Sequence, residues 1–76
     1  MKARYTLEIT IHHSSLENPL SIKIKDTDLL SLKADIKPTI ELMCYEKGIK
    51  GTVDIEILID KNGEYFDSDE FEMSVN

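Results

Sequence analysis

Apolar and polar residues alternate strictly from Tyr5 to Ile11, where Tyr5, Leu7, Ile9 and Ile11 are interleaved with Thr6, Glu8 and Thr10. That two-residue period predicts a strand with one face in a core and the other in water. Leu20, Ile22 and Ile24 alternate with Ser21, Lys23 and Lys25 in the same way, and His13-Ser14-Ser15-Leu16-Glu17-Asn18-Pro19 between them is rich in turn formers. The two segments therefore predict a hairpin with a loop longer than the tightest turns.

The period then changes. Leu29, Leu32, Ile36, Ile40 and Met43 step by three or four, which places them on one stripe of a helix, with Leu30, Leu42 and Cys44 at its edges. Thr27 is placed to cap this helix with its hydroxyl, and Asp28 to meet the positive end of the helix dipole. Pro38 lies inside the pattern, so the helix is expected to kink there or to break just before it. Gly48 supplies a left-handed C-terminal stop, after which Ile49 packs back on the last turn.

Alternation resumes after Gly51. Val53, Ile55, Ile57 and Ile59 point inward, Asp54, Glu56 and Asp60 point outward, and Asn62-Gly63 is a preferred two-residue hairpin turn. The last strand returns through Phe71, Met73 and Val75. Adjacent aromatics and mutually repelling acids in Glu64-Tyr65-Phe66-Asp67-Ser68-Asp69-Glu70 break the alternation and predict a bulge or a small excursion.

The elements read as one α+β domain over residues 1–76, a two-layer ββαββ unit with a four-stranded, mainly antiparallel sheet and a helix on one face. The first and third candidate strands have the longest apolar alternation, and the third is the richest in isoleucine, which favours both as central and gives the order 2-1-3-4. The β-grasp order 2-1-4-3, with the first and last strands parallel, is the rival, and the layout is similar to that of ubiquitin-like β-grasp modules.

Seventy-six residues, 41% of them hydrophobic, suffice for one core and no more. Cys44 is the only cysteine, so no disulfide forms within the chain, and a reducing, cytoplasmic compartment is expected. No stretch has the length and apolarity of a signal peptide or a membrane span, so no membrane partner is expected. The net charge of −6 is unevenly placed: residues 51–76 hold eight acidic side chains against the single base Lys61. Such a field repels phosphate backbones and attracts cations, which argues against direct nucleic-acid binding.

Candidate chemistry is sparse. His12 and His13 are neighbours on a strand and point to opposite faces, so they do not share a metal, and no motif places a nucleophile beside either. The run from Asp60 resembles a calcium loop only at its start, because the sixth position is Tyr65 and the twelfth Phe71; Asp67 and Asp69 are the alternative oxygen ligands for such an ion. Cys44 sits at the edge of the helix stripe, where a free thiol behaves as a small buried hydrophobe. No cofactor is called for.

What remains is acidic surface. Asp54, Glu56, Glu64, Asp67, Asp69, Glu70 and Glu72, with Leu58, Tyr65 and Phe66 as apolar anchors, suit a docking surface for a basic protein, a hairpin that mimics nucleic-acid charge. Their plain alternative is a solvated face that keeps the protein soluble and its edges unpaired. By analogy of size and charge, inhibitors that occupy nucleic-acid-binding surfaces, such as anti-restriction, anti-CRISPR and immunity proteins, are of this kind. The expectation is a non-enzymatic interaction module. A small metal- or histidine-dependent enzyme and a homo-oligomer paired through edge strands are the alternatives.

Overall fold

A computed structural model describes residues 3–76 and contains six elements: β1 (Tyr5–His12), β2 (Leu20–Asp26), α1 (Leu29–Ala34), α2 (Ile36–Lys47), β3 (Gly51–Lys61) and β4 (Glu64–Val75). The strands form one antiparallel sheet in the order β2-β1-β3-β4, so the two strands with the longest apolar alternation are central and the β-grasp order is not adopted. This is an α+β fold in two layers.

Burial follows the alternation. Leu7, Ile9 and Ile11 of β1 and Val53, Ile55, Ile57 and Ile59 of β3 are buried, and Leu32, Ile40 and Cys44 close over them from the helices. α1 packs on β2 and α2 on β1, while Leu29, Ile36 and Met43 are half-buried at the border of the core. Leu30 and Leu42, expected at the stripe's edges, point to solvent at 79% and 58% exposure.

Two details of the helical layer differ from the sequence-based reading. The N-cap is Asp28 rather than Thr27: its Oδ1 accepts from the backbone N–H of Leu30 at 3.0 Å, and its Oδ2 accepts from the Ser31 hydroxyl at 3.0 Å. The Ser31 hydroxyl first, then the backbone N–H groups, hold the Asp28 carboxyl below its ordinary pKa of 3.8. The helix is interrupted at Asp35, three residues before Pro38, where the Asp35 N–H donates to the carbonyls of both Ser31 and Leu32. Pro38 thereby falls in the first turn of α2, where backbone N–H groups have no intrahelical acceptor and a missing donor costs little.

The turns follow the glycines. Gly48 ends α2 at φ 69°, and the Ile49 N–H donates to the Cys44 carbonyl at 2.9 Å while its side chain enters the core. Asn62 and Gly63 both have positive φ, 55° and 85°, as a type I′ turn requires. This turn is also tied to the start of β1, because Asn62 Oδ1 accepts from the Arg4 N–H and the Asn62 N–H donates to the Arg4 carbonyl.

β4 is continuous from Glu64, and the expected irregularity is a single bulge. Ile59 pairs with Asp67 and Asp60 with Tyr65, which leaves Phe66 as the extra residue.

Candidate functional site: an acidic sheet face

Because Val53, Ile55, Ile57 and Ile59 point into the core, Asp54, Glu56, Leu58 and Asp60 must point out of the sheet on its uncovered side. The β3–β4 register sets Asp54 opposite Glu72, Glu56 opposite Glu70 and Leu58 opposite Ser68. Two carboxylate pairs therefore stand side by side on an exposed face, at positions where cross-strand side chains lie about 4.5–5.5 Å apart at Cβ.

The neighbouring strands grade this charge. β1 contributes Glu8 opposite Leu58, Thr10 opposite Glu56 and His12 opposite Asp54, and β2 adds Lys23 and Lys25 beyond them. Lys23 Nζ reaches Glu8 Oε2 at 3.7 Å, and His12 Nε2 lies 3.3 Å from Glu56 Oε1. The histidine approach is not aligned as a hydrogen bond, and among the described residues Nε2, shielded from water, has no hydrogen-bond partner. Among the described residues, Asp54, Glu70 and Glu72 form no ion pair. An open depression of about 510 Å³ lies over Glu8, Thr10, Glu56, Leu58, Ser68 and Glu70.

The structure divides the sequence-predicted docking residues between two faces. Asp54, Glu56, Leu58, Tyr65, Glu70 and Glu72 share the uncovered face, where the Tyr65 hydroxyl meets Ser68 Oγ at 3.1 Å. Asp67 and Asp69, opposite Ile59 and Ile57, lie on the helix-bearing side, as does Glu64 opposite Lys61. The bulge turns Phe66 to that side as well, and its ring meets the Tyr5 ring edge-on at 5.6 Å with Lys61 Nζ 5.8 Å from its centroid. Asp67 and Asp69 engage their own backbone, each Oδ1 accepting at 2.9 Å from the N–H of the following residue.

His12 and Glu8, which the docking set omitted, belong to the uncovered face. Their even spacing with Thr6 and Thr10 carries that information in the sequence. His13 is placed differently: its Nε2 faces the Lys50 carbonyl at 3.1 Å, while its Nδ1 faces the Ser15 N–H at 3.1 Å and the Ser15 hydroxyl at 2.7 Å. A carbonyl only accepts, so the proton sits on Nε2, and the ring pins the β1–β2 loop to the start of β3. Among the described residues no group of three or more His, Cys, Asp or Glu side chains could hold a metal ion, and no helix is long and apolar enough to cross a membrane.

Comparison with known proteins finds no matching family model, no similar curated protein and no similar solved structure.

Proposed function

We propose that this protein is a non-enzymatic interaction module whose acidic β3–β4 face docks a basic protein surface, such as the cationic face of a nucleic-acid-binding protein. The observation that carries this reading is the pair of facing carboxylate couples, Asp54 with Glu72 and Glu56 with Glu70. Like charges directly opposite one another destabilise a sheet, and serine or threonine at the same positions would keep the face soluble without that cost. An arginine-bearing surface relieves the repulsion, since a guanidinium spans two carboxylate oxygens at once. An inhibitor that occupies a nucleic-acid-binding site is one form of such a module, and a reducing cytoplasm suits its buried free thiol.

The test is a titration of isotope-labelled protein with an arginine-rich peptide, followed by amide chemical shifts. The expected result is a set of perturbations centred on Asp54, Glu56, Glu70 and Glu72, weakened by added salt and by Glu70→Gln with Glu72→Gln. Perturbations spread evenly over all acids, or unchanged in that double variant, sink the proposal.

A further inference from the structure

We infer that copies of this chain associate head to tail, the free edge of β4 pairing with the free edge of β2 of the next copy to continue the sheet. The order β2-β1-β3-β4 leaves these two strands as its edges, and the all-antiparallel pairing makes them run in opposite directions. A neighbour in the same orientation therefore presents β2 antiparallel to β4, as sheet extension needs.

Charge selects this pairing over the symmetric ones. On the uncovered face β4 carries Glu70 and Glu72, and β2 carries Lys23 and Lys25. Two β4 edges brought together oppose acids with acids, and two β2 edges crowd their lysines. One antiparallel register of the mixed pair places Glu72 opposite Lys23 and Glu70 opposite Lys25 of the next copy.

The same register sets Phe71 opposite Ile24 and Met73 opposite Ile22 on the helix-bearing side. All four are only partly buried at present, because the helices lie over β1 and β2 and leave a groove of about 390 Å³ floored by Ile57, Ile59 and Phe71 beside β4. A neighbour's β2, with α1 packed on it, is of the kind to cover that strip. The register ends where Asp69 would oppose Asp26, so six residues pair on each side and the bulge at Phe66 stays outside. Such an edge is heterologous and grows in steps instead of closing as a dimer, unless the rotation between copies forms a ring.

Sedimentation velocity over a concentration series in low salt tests this without any partner protein, so its failure is separable from that of the proposed docking function. The wild type is expected to rise above its monomer mass of 8.7 kDa as concentration increases. K23E/K25E and E70K/E72K, each folded by circular dichroism, are expected to stay at monomer mass alone and to associate when mixed, since each then offers the other a complementary edge. Should either double variant unfold, the single exchanges Lys25→Glu and Glu70→Lys repeat the mixing test with a smaller charge change. A wild type that stays monomeric to millimolar concentration, or a mixture that fails to restore association, overturns the inference.

Discussion

Cys44 faces the sheet from the last turn of α2 with 1% of its surface exposed, and burial raises its thiol pKa above the ordinary 9.0. The folded state thus holds the thiol proton more tightly than the unfolded chain does. The sign follows from linkage: this stability is fully present below pH 9 and is lost as pH rises through the folded-state value, because the unfolded chain gains by releasing the proton first. The measurement is a difference against a variant that lacks only the thiol. Urea midpoints of wild type and Cys44→Ala should run parallel up to about pH 8 and converge above it, the wild type losing more. Parallel curves to pH 10 would show a thiol that is not buried in solution. That Cys44 belongs to the core was legible from its place beside the stripe. Asp28 was less so, because Thr27 and Asp28 both cap well, and only the backbone's entry angle decides which oxygen reaches the free N–H groups.

The helical stripe kept its phase across α1 and α2, which is why one segment was legible, yet the place of the break was not. Proline forbids an interior position but is indifferent within the first turn, so Pro38 bounds the start of α2 only to within a turn. The distinction has a measurable sign. Were Pro38 interior, replacing it by alanine would stabilise the protein by about 3 kcal/mol. At its observed place, Pro38→Ala restores no lost hydrogen bond and frees the unfolded chain, so the expected outcome is a change between neutral and about 1 kcal/mol destabilising in urea unfolding. A gain of stability beyond about 1 kcal/mol would mean that Pro38 strains a continuous helix. In β4 the limit on reading was different: residues 64–70 are exposed on both faces, so no burial period exists there, and the bulge at Phe66 shifts what alternation remains. Asp67 and Asp69 share the parity of Phe71, Met73 and Val75, so only the faces of Glu64, Tyr65 and Phe66 depended on that one extra residue.

At the scale of the molecule, strand order was readable because a central strand needs two covered edges and a long apolar face, and β1 with Tyr5, Leu7, Ile9 and Ile11 and β3 with Val53, Ile55, Ile57 and Ile59 carry the longest ones. Charge placement was readable along the chain, as eight acids against Lys61 in residues 51–76, but not as a division between faces. The acids of the last two strands divide between both faces of an elongated body of 42 × 19 × 17 Å, and like charges stand directly opposite one another at Asp54–Glu72 and Glu56–Glu70. Added salt screens that repulsion over about 8–10 Å at physiological strength, whereas it does little to the buried aliphatic core. The melting temperature of the wild type should therefore rise as sodium chloride is added. Glu70→Gln with Glu72→Gln removes one partner of each couple, so it should raise stability in low salt by about 0.2–1 kcal/mol per couple and flatten the salt response. In a domain of this size each kcal/mol corresponds to about 4–8 °C, well within the precision of a thermal scan. The same double variant is the one expected to lose the arginine-rich ligand. Opposite signs for stability and binding at the same two glutamates are what a surface shaped for a partner produces, while a merely solubilising face predicts the first effect without the second. A wild type whose melting temperature falls with salt would show that the couples are already compensated, and would remove the physical ground for assigning them a cationic partner.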